Sequence, residues 1–400
     1  MILKFVSLLA GIWAAALSLS SGDTSKIMDR VLLEANSQHV RYSDGSVICI
    51  DGRRELLMAV TVFGPAGHDY SRAEIVVWPS HDGGRTWSDS ERYTIQKSDD
   101  WLTVNSPSFV NLGESELLFF FTGHKTSRDA GSWFRRSRDR GKTWGQPTPL
   151  PYEGFGDAVA DHAKRLKIGR ILVPYYDYLF PDASSAEAYS YCFYSDDGGH
   201  TWKKSNRITV KQPSKGREIA FGEGENARRM SYTAEEPSVV ELKDGLLLML
   251  MRTYTGWFYK SYSPNNGATW SEPVNSGIPA PGSTPVLARI PTTGDLLLLY
   301  NYGEPEEILG AFPRNRLAAA ISRDEGKNFS SVRMLDGAAS FTGKMTQPNV
   351  VFIGSEALVF YPKSPNKQNF YSWVEQIIPV RWFYDGNNGK VFGEEYLRKR

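Results

Sequence analysis

The chain has 400 residues, with 46 Lys and Arg against 45 Asp and Glu, so the net charge is +1. That balance argues against a nucleic-acid partner or an electrostatic membrane anchor, both of which need a basic excess. Two cysteines, Cys49 and Cys192, are too few for a disulfide framework; each lies in a strand-like segment and is expected to be a buried single thiol.

In chain order, the first element is an address. Lys4 precedes an apolar run from Phe5 to Leu19, and Ser18, Ser20, Ser21 and Gly22 are small. This predicts a secretory signal peptide over residues 1–22, with an uncleaved anchor as the alternative. The run is short for a membrane span, so no stable insertion is expected after cleavage. Residues 23–400 carry no linker or low-complexity stretch and are expected to form one secreted or periplasmic domain, as a monomer.

Five copies of one pattern follow: Ser80–Trp87 (SHDGGRTW), Ser137–Trp144 (SRDRGKTW), Ser195–Trp202 (SDDGGHTW), Ser263–Trp270 (SPNNGATW) and Ser322–Phe329 (SRDEGKNF). Steps of 57, 58, 68 and 59 residues between the serines indicate an array of one supersecondary unit. Each copy reads as a hairpin turn. Asp or Asn bonds back to its own backbone, Gly supplies a positive φ, and the closing aromatic packs on a sheet.

A second repeat lies between the first. Gly52, Gly113, Gly169, Gly245, Gly294 and Gly354 each open an apolar run such as ELLMAV, ELLFFF or LLLMLM, the signature of a buried strand after a turn. Six such units with five box turns predict an all-β fold, a six-bladed β-propeller whose last blade is completed by both chain ends. A β-helix or a seven-bladed ring would carry similar repeats.

Propeller geometry directs attention to the residues just before these strands, which ring one mouth of the central channel. Polar pairs collect there: His39 and Arg41, Asn105 and Ser106, Asp161 and His162, Glu235 and Glu236, Ser283 and Thr284, Thr346 and Gln347. The long step between the third and fourth boxes adds the Gly-rich, charged segment upstream of Glu236, with Arg217, Arg228 and Arg229. Such an insertion on a rigid ring suits a specificity loop.

The stretch EEPSVVELKDGLLLMLMRTYTGWFYKSYSPNNGATWSEP, with NRLAAAISRDEGKNF and the boxes, resembles the sialidase superfamily in its bacterial-neuraminidase-repeat branch. The resemblance implies a glycoside hydrolase of the exo-α-sialidase type, in which an Arg triad holds the substrate carboxylate and an Asp is the acid/base. A Glu in that family activates a Tyr nucleophile. Carried over, Glu236 matches the glutamate and Arg252 the second arginine. Arg316 falls where the third is expected, Arg41 stands for the first, and Asp69 in GPAGHDYS is the acid/base candidate beside His68. Guanidiniums suit the task because each donates paired hydrogen bonds and stays charged.

The sixth strand head departs from the family, reading Met345, Thr346, Gln347 and Pro348 where a Tyr is expected. Tyr42, Tyr232, Tyr254 or Tyr302 can take its place. Equally, an inverting or eliminative reaction can use Glu236, Asp69, His39, His68 or His162 as acid/base, or the site only binds glycans. Glu236 and Arg252 also suit a buried ion pair, and Asp69 a solvated turn. The residues therefore support release of a terminal acidic sugar from a glycan substrate. The alternatives are a hydrolase or lyase on uronic-acid-containing polysaccharide and a non-catalytic glycan-binding propeller. No metal-site or cofactor motif is present.

Overall fold

The computed structural model describes residues 27–212, 220–221, 228–311, 313–366, 370–386 and 389–398. The expected signal peptide and Arg217 lie outside the described residues. Strands dominate, and the fold is all-β and propeller-like. Among the described residues, two short α-helices, Pro305–Ala311 and Glu394–Arg398, and the 3-10 turn Val380–Tyr384 interrupt them. No helix among the described residues is long and apolar enough to cross a membrane.

The apolar runs form the strands they predict. Leu56–Phe63 is buried along its whole length, as are Leu247–Met251 and Leu296–Asn301. A strand covered on both faces needs no polar alternation, which is why these segments read as continuous hydrophobic runs. Each sits inside an antiparallel sheet. One sheet runs Arg41–Cys49, Leu56–Phe63, Ala73–Ser80, Tyr93–Lys97, and another Glu235–Glu241, Leu247–Arg252, Trp257–Ser263, Val274–Pro279. A third runs Val286–Arg289, Leu296–Asn301, Arg316–Ser322, Asn328–Gly337, with Phe392–Gly393 at its edge.

An eleven-stranded sheet joins two such groups. Thr103–Gly113, Glu116–Thr126 and Asp129–Ser137 form one, Ile171–Leu179 and Ser185–Ser195 anchor the other, and a single parallel bridge, Phe155 to Ala130, connects them through Phe155–Ala158. In the last sheet the N-terminal strand Met28–Leu33 pairs antiparallel with Ser372–Pro379.

Alternate residues of each buried strand face opposite neighbours. Leu57 and Ala59 pack with Leu117 and Phe119, while Leu56, Met58 and Val60 pack with Leu358 and Phe360. Leu118 and Phe120 meet Ile171 and Val173; Leu172 meets Leu247 and Met249. Leu248 and Leu250 meet Leu296 and Leu298, and Leu297 and Leu299 meet Ala357 and Val359. The contacts run round in a cycle, so the core is a series of sheet-to-sheet interfaces. Cys49 and Cys192 are free thiols, the second fully buried.

The repeated turns dock each sheet onto the one before it. In the first, Ser80 bonds Asp82 at 2.9 Å, Gly84 N–H donates to the Ser80 hydroxyl at 2.9 Å, and Thr86 N–H donates to Asp82 at 2.8 Å. The same three bonds recur at Ser137, Ser195, Ser263 and Ser322. The fifth residue of each is a glycine at positive φ, between 81° at Gly326 and 86° at Gly199. A Cβ there would strike a leucine of the preceding group: at Gly84 it would lie 2.3 Å from Leu358, at Gly141 2.6 Å from Leu57, and at Gly267 2.6 Å from Leu172.

Gly267→Ala therefore combines a left-handed backbone with a steric clash and should lower stability by roughly 2–4 kcal/mol. Gly245→Ala, at φ 87° with nothing within 4 Å, should cost only about 1 kcal/mol. Urea midpoints of the two variants check the difference.

Candidate active site

At the heads of several sheets the first strand takes a left-handed step on a residue other than glycine. Asp44 has φ 46°, Ser106 54°, Asp161 59°, Glu236 46° and Gln347 42°. Pairing with the second strand slips at the same places, between Ser43 and Gly45, Asn105 and Ser108, and Glu235 and Ser238. A bulge re-aims the side chain that carries it. Asp44, Ser106, Glu236 and Gln347 all line one cavity of about 430 Å³.

Most of the polar residues expected at the mouth are there. Arg41, Asn105, Ser106, Glu235, Glu236, Thr346 and Gln347 line the cavity, and the Thr284 hydroxyl donates to Glu236. Asp161 and His162 do not. They lie in a second cavity among strand interiors, where Asp161 accepts from Ser46 at 2.5 Å and His162 Nδ1 contacts Pro237 O at 2.9 Å.

Three guanidiniums reach the cavity, Arg41 and Arg252 from strands of two different sheets and a third from the segment ahead of the strand Arg316–Ser322. Arg252 ends its strand beside Glu236, and Nη1 donates to that carboxylate at 2.7 Å. Its Nε lies 3.6 Å from Glu235, and its Nη2 bonds the Tyr254 hydroxyl. Glu236 and Arg252 thus form the buried ion pair that their positions allowed, but both strands belong to one sheet and the pair faces the cavity rather than a neighbouring sheet. Arg41 donates to Asp69 at 2.5 Å and lies over the rings of Phe63 and Tyr371.

The third guanidinium belongs to Arg314, which lines the cavity and donates to Gly282 O. Arg316, expected in that place, sits elsewhere: it pairs with Glu307 of the short helix Pro305–Ala311 and stacks over Tyr302 at 5.3 Å. Arg316 is the first residue of the strand Arg316–Ser322, and the sheet's pairing fixes it beside that helix. Arg314 precedes the strand and extends toward the mouth. A count back from the fifth box could have found it only with the strand start known.

Tyrosines at the site differ from those singled out in the sequence. Tyr70, Tyr176, Tyr178, Tyr254 and Tyr371 line the cavity. Tyr254 alone was anticipated; Tyr42 is core, and Tyr302 bonds Glu304 and Lys390. Tyr371 arrives through a parallel bridge to Arg41 from the far end of the chain. Nothing in local sequence marks it.

Burial and opposed charges divide the ionisable groups. Burial works to raise Glu236, but the charges of Arg252 and Arg314 and the Thr284 and Arg252 hydrogen bonds hold it below the usual carboxylate range. Desolvation likewise opposes Arg41 at Asp69, and Arg41 wins, keeping the Asp69 carboxyl low. Glu235 is raised, burial outweighing Arg252. Burial lifts Asp44 to about 6 and Asp157 to about 7, and carries every cavity tyrosine above its ordinary value, Tyr254 to about 12. His124, packed on Tyr70 and Phe155, is pushed down to about 4. At neutral pH the site thus holds three guanidinium cations, with Lys344 also on its lining, ionised Glu236 and Asp69, a neutral imidazole and neutral phenols.

Other anticipated groups stand apart. His39 lies outside this cavity, and the His68 ring accepts from Tyr70 N–H at 3.3 Å. Arg228 stacks on Phe180 at 4.6 Å. Among the described residues, no cluster of His, Cys, Asp and Glu is arranged to hold a metal ion.

Residues 31–376 match the BNR repeat-like domain. An 82-residue stretch is 38% identical to sialidase-4 of Homo sapiens, covering 17% of this chain and 17% of that relative. A protein of unknown function from Dyadobacter fermentans superposes with a TM-score of 0.68 at 19% identity, over 89% of this chain and 99% of its own. Trypanosoma rangeli sialidase in complex with sialic acid gives a TM-score of 0.63 at 16% identity, over 90% and 59%. The Hadza microbial sialidase Hz136 gives 0.66 at 15%, over 88% and 69%. At such identities the likeness establishes the fold.

Because Asp157 binds its proton more tightly folded than unfolded, its share of stability is present below about pH 4 and is lost as pH rises through about 7. Asp157→Asn removes that titration. Urea midpoints measured from pH 4 to 8 should fall less steeply with pH in the variant than in the wild type.

Proposed function

The chain belongs to the BNR repeat-like family, and from that premise we propose that it is a glycoside hydrolase of the exo-α-sialidase type, releasing a terminal acidic sugar from glycans. One observation carries the reading: three guanidiniums from separate parts of the chain, Arg41, Arg252 and Arg314, enter a single cavity beside Glu236 and Asp69. Cations gathered at such a cost in desolvation and mutual repulsion suit a carboxylate ligand able to bond all three. Burial and the charge of Arg252 both lower Arg314, a strain that an arriving anion relieves. The Trypanosoma rangeli neighbour is described with sialic acid bound, and a sugar acid of that class has the charge this cavity would take.

The scaffold in this reading is a six-bladed ring with five Asp-box hairpins, and the cyclic order of the sheet interfaces and box contacts supports it. The apolar run Phe5–Leu19 supports export. As the substrate carboxylate takes Arg41, Asp69 loses the partner that keeps it ionised. Its pKa rises toward that of a partly desolvated acid, and it becomes able to protonate the leaving oxygen. Arming the acid is thereby tied to binding the correct charge. Glu236, ionised beside Arg252, stabilises the positive charge that develops on the sugar ring in the transition state.

An assay with aryl α-sialosides and uronate-containing oligosaccharides tests this. Glu236→Gln and Arg252→Ala should each lower kcat/KM by about 100-fold or more. Arg314→Ala should raise KM for the acidic sugar by about 10-fold or more, the worth of a charge-assisted pair, while Arg316→Ala should stay within about 3-fold of wild type. Full activity in Glu236→Gln and Arg252→Ala, or no turnover of any acidic glycan, would refute the assignment.

A further inference from the structure

With Asp69 as the acid, the unit that leaves the glycan must sit beside it, at the rim of the cavity, where the Asp69 side chain is 70% exposed. The guanidiniums lie further in and already have oxygen partners: Arg41 donates to Asp69, Arg252 to Glu236 and Arg314 to Gly282 O. Two other groups on the same lining stand outward. Tyr70, next in sequence to Asp69, is 38% exposed and meets the His124 ring edge-on at 5.9 Å. Lys344 is exposed and is a fourth cation on the lining.

The strand that carries Lys344 fixes where it points. Lys344–Met345 pairs antiparallel with Glu356–Ser364, Lys344 opposite Ser364, and the extended chain runs on to Thr346, whose N–H donates to Pro362 O at 3.3 Å. Met345 is fully buried in the core with Leu297, Leu299 and Val359. Its N–H donates to Arg314 O at 2.9 Å, and its carbonyl accepts from Asn301 Nδ2 at 3.0 Å. Side chains alternate along an extended strand, so with Met345 turned into the core, Lys344 and Thr346 face the other way, and both line the cavity. The Met345 bond to Arg314 sets Lys344 against the segment that supplies the third guanidinium. Tyr371 spans the remaining distance: Arg41 lies over its ring at 5.6 Å, and it feels the charges of Arg41, Arg314 and Asp69. The seam side of the mouth is therefore one continuous edge, with the exposed acid at one end and an exposed ammonium at the other.

We propose that this edge is a subsite for the unit on the leaving side of the scissile bond, and that Lys344 selects glycans in which that unit carries a second negative group, a carboxylate or a sulfate ester. The inference rests on the glycosidase reading of the site. The carboxylate of the terminal sugar is taken by the three guanidiniums, which leaves Lys344 to meet the next anion along the glycan. Tyr70 offers the same unit a flat apolar face against which a sugar ring packs. An ammonium suits an outer subsite, because a point charge on a flexible stem meets a carboxylate or a sulfate over a range of geometries, whereas a guanidinium fork demands one. Being exposed, the charge contributes a modest factor to binding and is screened by salt.

The test compares three substrates of the full chain at low ionic strength: a sialyl-galactoside with a neutral leaving unit, the same compound with a sulfate ester on that unit, and a disialyl compound whose leaving unit is itself a sialic acid. Wild type should show a kcat/KM about 5-fold higher for one or both anionic substrates than for the neutral one, the worth of an exposed charge pair, and the difference should lie in KM. Raising salt to about 0.5 M should bring the ratio toward one. In Lys344→Ala the ratio should fall to about one, in Lys344→Glu below one, and in Lys344→Arg it should persist, with urea midpoints matching wild type to verify the fold. Which anionic substrate is preferred identifies the second group as sulfate or carboxylate. A wild-type ratio near one for both anionic substrates, or a preference that Lys344→Ala and Lys344→Glu leave intact, overturns the proposal and leaves the glycosidase reading standing. If wild type turns over none of the three, the two fall together.

Discussion

The seam between the chain ends is the interaction on which the rest depends. Met28–Leu33 pairs with Ser372–Pro379, and Arg30 locks the seam. Its guanidinium donates to Glu375 at 2.6 Å and to the carbonyls of Gly84 and Arg85 at the first box turn. Glu375 is fully buried and also accepts from Trp87 at 3.3 Å. One carboxylate therefore ties the first strand, the first box and the last sheet together. A buried charge of this kind is costly to strip of one partner, and a propeller left open would expose strand edges that invite association.

The candidate site straddles that seam. Arg41 stands just past it, Gln347 and Tyr371 just before it, and Arg41 bridges directly to Tyr371. Closure brings together side chains more than three hundred residues apart. Across the cavity, Glu236 and Arg252 form the opposite wall from a single sheet. The charged groups of the site are thus fixed by the same packing that closes the fold, with the buried leucine interfaces holding each sheet in register.

Within that frame, strain marks function. Left-handed steps at Asp44 and Glu236 and the slipped pairing beside them sacrifice strand regularity to turn polar side chains inward, a pattern usual at sites where geometry is imposed by the scaffold. Burial then separates the carboxylates. Glu236 and Asp69, each hydrogen-bonded by an arginine, stay ionised, whereas burial raises Glu235, Asp44 and Asp157, the last two to about 6 and about 7. One cavity thereby holds carboxyl groups of opposite tendency, the condition for paired acid and base roles.

Much of this was legible in the chain alone. The box pattern repeats because every copy solves the same local problem, a tight turn whose serine, aspartate and glycine satisfy one another within eight residues. The apolar runs predict buried strands for the same local reason, and Glu236 and Arg252 stand out because a carboxylate and a guanidinium at opposite ends of apolar hairpin strands have few structural uses. Arg314, Tyr371, His124 and Asp44 escaped notice. Whether Arg314 or Arg316 reaches the mouth depends on where the strand begins and on Glu307, which claims Arg316. Tyr371 becomes a neighbour of Arg41 only when the seam closes, and Asp44 lines the cavity next to Gly45, whose neighbours Trp373 and Asn349 come from the far end of the chain. The sequence by itself determined the repeating turns, the buried strands and one wall of the site, since these rest on contacts between near neighbours. The tertiary structure decided the other wall and the ionisation of its carboxyls, because burial and convergence exist only once distant strands are packed around a common axis.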